Sequence, residues 1–232
     1  MVAIMINRLF LIVILALVLS AHVLDAQDRV KYRDFELGGG VASVATLTGV
    51  APSDATVIHQ RPAVLQELEW RPRYFSRGST PQIDPVDHMV FSFYNDQLYK
   101  VVVDYDVRRT EGMSQADIMA AISATYGVAS IPRLKAARAA EAQYGESDVA
   151  LATWGNTEYT LMLFRVSYQN AFRLVVSSTK LADLARGAGA EAVRLDTLEA
   201  PQREMARQRK EADAARTAEA EAKRVNLPGF KP

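Results

Sequence analysis

The chain contains no cysteine. Without cysteine there is no disulfide, no thiol to accept a diacylglycerol anchor and no thiolate metal site, so stability comes from packing. It has only three histidines, and its 27 basic residues are matched by 27 acidic ones. Zero net charge argues against a dedicated nucleic-acid binder, which carries a clear positive excess. Nucleophilic catalysis lacks its usual signs. There is no Gly-x-Ser-x-Gly elbow, and beyond the first segment only His59 and His88 could serve as bases, neither in a recognisable nucleophile context.

Long hydrophobic runs are also scarce. Arg8 precedes the unbroken apolar run Leu9 to Leu19, and a more polar stretch ends at Ala26. This is the layout of a secretory signal peptide, with cleavage expected after Ala26 and a second site at Ala21. The run is shorter than the roughly 20 apolar residues that cross hydrocarbon, so no stable membrane insertion is expected after cleavage. Losing Arg8 and Asp25 with the leader keeps the charges balanced. An apolar content of 49% with 23% charged residues is ordinary for a folded domain. The expected organisation is a leader at 1–26, a sheet domain at 27–180, a helical extension at 181–225 and a tail at 226–232.

Within the domain, Val41, Val44 and Leu47 recur at helical spacing before Gly49, giving a short helix over Gly39 to Leu47. Val64 to Arg71 reads as a strand and Ser76 to Asp87 as a loop. Met89 to Tyr94 and Leu98 to Tyr105 alternate about Asn95-Asp96, which is a β-hairpin. Ser114 with Asp117 is an N-terminal capping signature, and Ile118, Met119, Ile122 and Tyr126 follow at helical spacing up to Gly127. Tyr99, Val101, Val103, Ile118 and Ile122 are expected to share one core. Pro132 to Gly145 has few large apolar residues and contributes little to it. Strands follow at Ala150 to Trp154, Tyr159 to Tyr168 and Phe172 to Ser177. The fold class is therefore α+β: an antiparallel sheet with one or two packed helices, followed by a long charged C-terminal helix.

In that helix, Leu181, Leu184, Ala188, Ala192, Leu195, Leu198 and Met205 form a heptad-like apolar series, after which Gln208 to Arg224 is nearly all Ala, Glu, Lys and Arg. Glu199–Arg203 and Glu219–Lys223 are i,i+4 acid-to-base pairs, and Pro201 starts a new helix or kinks the old one. Arg207, Arg209, Lys210, Glu211 and Asp213 offer a partner only screened charge, so binding through them would weaken with salt.

The chemistry-bearing candidates are few. Trp70, Arg71, Arg73, Tyr74 and Arg77 interleave guanidinium groups with aromatic rings, a pattern that can stack on and pair with polyanions, sugars or carboxylates. The plainer explanation makes Trp70 and Phe75 core anchors and pairs the arginines with Glu67, Glu69 or nearby aspartates. Asp84, Asp87 and His88 match no metal motif and read as a capped loop, so no metal or other cofactor is expected. Gly38-Gly39-Gly40 could offer backbone N–H groups to an anion but lacks the lysine of a phosphate loop, and reads as a flexible helix entry. Asp104, Asp106, Arg108 and Arg109 read as a solvated salt-bridge patch.

FYNDQLYKVVVDY running into SQADIMAAISATYG, with ATWGN and TEYTLMLF later, resembles uncharacterised exported bacterial proteins. More remotely, Gly38 to Ser178 is similar to the small α+β modules of outer-membrane assembly lipoproteins and β-lactamase-inhibitor-like proteins. The lipid-accepting cysteine of the lipoproteins is missing. The resemblance implies a non-catalytic envelope role and passes on no functional residue. The expected partners are an envelope protein or cell-wall component and no nucleic acid, with self-association through the C-terminal helix as a further route. The competing readings are a polyanion or small-ligand binder using the Trp70–Arg77 segment, and a hydrolase assembled from dispersed Asp and His residues. The leader reading makes one direct prediction. N-terminal sequencing of the envelope-fraction protein should begin at Gln27, whereas an intact Met1 chain recovered only in membranes would reverse it.

Overall fold

A computed structural model describes residues 30–72, 84–132, 148–166, 171–229 and 231. The order opens with a two-stranded ribbon, β1 (Lys31–Tyr32) and β2 (Phe35–Glu36), then α1 (Val41–Thr48), β3 (Thr56–His59), β4 (Leu65–Trp70), β5 (Val86–Tyr94) and β6 (Gln97–Tyr105). It continues with α2 (Gln115–Tyr126), β7 (Asp148–Gly155), β8 (Tyr159–Val166), β9 (Ala171–Ser178) and α3 (Thr179–Asn226). Strands β3 to β9 form one seven-stranded antiparallel sheet in the order β3-β4-β5-β6-β9-β8-β7. The protein is α+β. The leader and Ser76–Ile83 of the expected loop lie outside the described residues, as does most of Pro132–Gly145.

Local sequence explains the elements that position everything else. Asn95 and Asp96 both adopt positive φ, 46° and 62°, as a two-residue hairpin turn of this hand requires. Asp96 then reaches across to α1, where its carboxylate accepts the Val41 N–H at 2.8 Å. The anion at the Gly-rich helix entry is thus the protein's own. The entry itself is pinned, because Gly38 N–H donates to Leu98 O and Leu98 N–H to Gly39 O. Ser114 and Asp117 form the full capping box of α2, leaving fewer orphan donors in its first turn.

Sheet order and sequence order together reveal a repeat. A helix, a short edge segment and a three-stranded meander occur twice: α1, β3 and β4-β5-β6, then α2, the single bridge of Ser130 to Thr153, and β7-β8-β9. The last strands of the two meanders, β6 and β9, pair at the sheet centre. Trp70 of β4 donates its indole N–H to Thr48 O in the last turn of α1, and Trp154 of β7 donates to Ser123 Oγ near the end of α2. Gly-Val-Ala follows each helix, at Gly49 and at Gly127.

The main core lies between the sheet and the layer made by α1, α2 and the ribbon. It includes Val44, Phe35, Phe91, Val101, Val103, Ile118, Ile122 and Leu174. Tyr99 is not among them. The register steps from Ser92↔Lys100 to Phe93↔Leu98, so Tyr99 is the extra residue of a β-bulge. The alternation flips there, and Leu98 takes the buried place with no exposed surface.

The opposite face of the sheet carries α3, with Ala185 and Ala192 buried and Gly189 close to Leu65. The heptad-like series is open to packing on the sheet or on a partner helix, and Leu184, Leu198 and Met205, 45%, 60% and 52% exposed, do not pack on the sheet. Leu184 stands about 100° round the helix from buried Ala185 and so lies off the sheet-facing side from the start, and a seven-residue repeat drifts by about 20° per heptad on a straight helix, which carries Leu198 and Met205 further round. Pro201 lies inside one continuous helix. Its missing N–H disturbs the carbonyls of the preceding turn, and Arg203 there donates to both the carbonyl and the carboxylate of Asp196. Glu199 therefore does not take Arg203 as its local partner. It accepts a two-pronged pair from Arg61 in the β3–β4 connection, because that fork is met twice over and an i,i+4 contact only once.

The bulge sets a mutational test. Leu98→Ala should cost about 2–5 kcal/mol and Val101→Ala or Ile122→Ala about 1–4 kcal/mol, with Tyr99→Ala costing less than Leu98→Ala, as read from urea midpoints.

Candidate functional site

The antiparallel order brings the ends of distant strands together at the side of the sheet away from the Asn95-Asp96 turn. Arg71 follows β4, His88 is near the start of β5, Asp104 near the end of β6 and Arg173 near the start of β9. Cross-strand pairing sets His88 opposite Asp104, and Asp104 opposite Arg173. Alternation places these three on the α3 face, opposite to the buried Met89, Val103 and Leu174. Here the described residues enclose a cleft of about 430 Å³, and α3 contributes nothing to its lining.

The floor is an ionic chain across four strands. Arg173 Nε donates to Asp104 Oδ1 at 2.6 Å and its Nη1 to Asp148 Oδ2 at 2.7 Å. Asp148 is 2% exposed. Burial pushes its carboxyl above the ordinary value more strongly than Arg173 pulls it down, and the charge of Asp104 adds to the rise. His88 Nδ1 lies 3.3 Å from Asp104 Oδ2 and 3.8 Å from Asp87 Oδ2, buried and without a hydrogen-bond partner.

At the rim, Arg71 meets Asp87 at 3.4 Å. Asp106 does not join a salt-bridge patch; its carboxylate accepts the backbone N–H groups of Arg108 and Arg109, a local turn bond of the kind aspartate makes readily. Asp104 likewise turns inward to Arg173 instead of toward solvent cations. Among the described residues the charged lining comprises three arginines, Arg71, Arg108 and Arg173, and three aspartates, Asp87, Asp104 and Asp106, beside His88.

A histidine beside a carboxylate can hold and pass a proton, but the described lining offers no activated nucleophile for it. Its one hydroxyl, on Tyr105, stands 3.4 Å from that of Tyr32, and burial pushes it well above its ordinary pKa. Among the described residues no group of three or more His, Asp or Glu could hold a metal ion. Asp84, Asp87 and His88 are split between partners. Asp84 takes both prongs of Arg33 at 2.7 and 2.9 Å and caps Val86 N–H, Asp87 faces Arg71, and His88 faces the cleft. Burial alone would raise the Asp84 carboxyl, but the Arg33 and Val86 hydrogen bonds outweigh it and hold the group below the ordinary value.

Of the aromatic–arginine segment, Trp70 is spent on Thr48 and the core, and Arg71 lines the cleft. Arg73, Tyr74 and Arg77 lie outside the described residues. The Asp104–Arg173–Asp148 chain was not foreseen. Its signal was present: Arg173 is a lone charge in an apolar strand, and such a residue needs a partner.

Among the described residues no helix is long and apolar enough to cross a membrane. Comparisons with protein-family models, with curated proteins and with solved structures found no match.

The two shifted aspartates should respond oppositely to pH. Asp148 has a raised folded pKa, so the wild type loses stability relative to Asp148→Asn as pH climbs from the unfolded value of 3.8 through the folded one. Asp84 has a lowered one, so the wild type's advantage over Asp84→Asn is full above 3.8 and is lost as pH falls through the folded value. Urea titrations of both variants from about pH 3 to about pH 7 should give slopes of opposite sign.

Proposed function

We propose that this is a non-enzymatic, exported protein of the bacterial envelope that acts by contact with another protein or a cell-wall component. In this reading the sheet domain is a platform, and its task is to hold α3 so that the helix projects. One observation carries it. The Arg61–Glu199 pair ties α3 to the platform, and from Ala200 to Gly229 every described residue is exposed. At 1.5 Å per residue the helical part of that stretch reaches roughly 40 Å beyond the tie. The leader supports export, and the charge balance argues against nucleic acid as the partner.

A second reading, a small-ligand binder, is favoured by the cleft beside Arg71. The two readings separate experimentally, because the first places the contact on α3 and the second on the sheet.

In-cell crosslinking with mass spectrometry, applied to the full chain and to one truncated after Met205, tests the proposal. The truncation should shift the melting temperature by about 2 °C or less, as exposed residues do, and should remove an envelope crosslink. A large fall in melting temperature, or crosslinks that persist unchanged, would contradict it.

A further inference from the structure

The charged groups of the cleft divide into those already spent and those still open. All three guanidinium nitrogens of Arg173 bond to aspartate oxygens, Nη1 to Asp148 and Nε and Nη2 to the two oxygens of Asp104. Asp106 is used by the backbone N–H groups of Arg108 and Arg109. Arg71, by contrast, makes a single contact at 3.4 Å, to Asp87, with 64% of its side chain exposed. Among the described residues the guanidinium of Arg108 takes part in no salt bridge or hydrogen bond. The open groups are thus chiefly donors, since a guanidinium carries five N–H groups. Strand order sets the two open arginines on either side of β5. Trp70 pairs with Met89, so one further step brings Arg71 beside His88, and His88 stands opposite Asp104 of β6, the strand that Arg108 follows. With neighbouring strands about 4.8 Å apart, β4 and β6 are separated by roughly 10 Å. His88 lies in that gap, its Nδ1 buried and without a hydrogen-bond partner.

We infer that the cleft holds the oxyanion of a small molecule, a carboxylate or a phosphate, gripped by Arg108 and Arg71 on either side of His88. The inference rests on the small-ligand reading above and adds the chemical class. The planar fork of arginine matches both groups, and Asp87 holds Arg71 by one prong, which leaves the rest of that fork for a ligand. An ammonium is a poor occupant, because Asp104 accepts from Arg173 on both oxygens and Asp106 from two backbone N–H groups. The volume of about 430 Å³ is that of a site for a compact molecule.

The test titrates residues 27–232 at constant ionic strength with succinate, inorganic phosphate, 1,4-diaminobutane and dimethyl succinate, following the Nε–Hε signals of Arg71 and Arg108 and the ring of His88 by NMR. Succinate, phosphate or both should shift these signals saturably, and whichever binds identifies the oxyanion. Arg108→Gln and Arg71→Gln should each weaken that binding about tenfold, while Arg209→Gln on the exposed length of α3 should leave it unchanged. Saturable binding of diaminobutane in place of both anions, or of the uncharged diester as tightly as succinate, would overturn the oxyanion assignment and leave the small-ligand reading standing. A loss from Arg209→Gln as large as that from Arg108→Gln would reveal unspecific charge attraction and overturn the assignment too. No saturable shift with any of the four would overturn both the assignment and the small-ligand reading.

Discussion

The pairing of β6 with β9 is the constraint on which the rest of the molecule depends. Val101, Val102 and Val103 stand opposite Val176, Val175 and Leu174, and the pair ends on Asp104 opposite Arg173. It joins the two meanders, so neither half has a complete core without it. Val101 and Val176 belong to the main core, while Val175, on the other face, is buried on the side where α3 packs. The same strand then runs straight into α3, so the angle at which the helix leaves is set by a pairing buried in the middle of the sheet. The Asp104–Arg173 contact fixes its register, because a one-residue slip would turn Arg173 toward the apolar side.

Legibility followed the range of the interaction. The Asn95-Asp96 turn, the capping box of α2 and the Gly49 end of α1 are written in neighbouring residues and formed where expected, while the first hairpin strand begins at Val86, three residues before Met89 and inside the expected loop. The bulge at Tyr99 could not be read, since unbroken alternation from Leu98 to Tyr105 gives no local sign of an extra residue. Glu199 had a good local partner in Arg203 and took a distant one in Arg61, a choice that only the fold presents. The repeat was hidden for a similar reason. Outside Gly-Val-Ala and the two tryptophans its copies share hydrophobic pattern more than identity, and their loops fall at different places.

The candidate site was legible only in fragments. Of the aromatic–arginine segment, Arg71 lines the cleft and Trp70 packs against the core, while Arg73, Tyr74 and Arg77 lie outside the described residues. The groups that make up the floor, His88, Asp104, Arg173 and Asp148, come from four strands, and no spacing rule joins them. Arg173, Asp104 and Asp148 satisfy one another, and that also bears on function. Among the described residues the arginines and aspartates of the cleft are equal in number and so leave little net field. By contrast, every described residue from Ala200 to Gly229 is exposed.

The central claim is that α3 leaves the platform and projects as a rigid arm. Small-angle X-ray scattering of residues 27–232 and of residues 27–205 measures this directly. At 1.5 Å per helical residue, the truncation should shorten the maximum dimension by roughly 35 Å. An unchanged dimension would mean that the arm lies against the domain and would contradict the account.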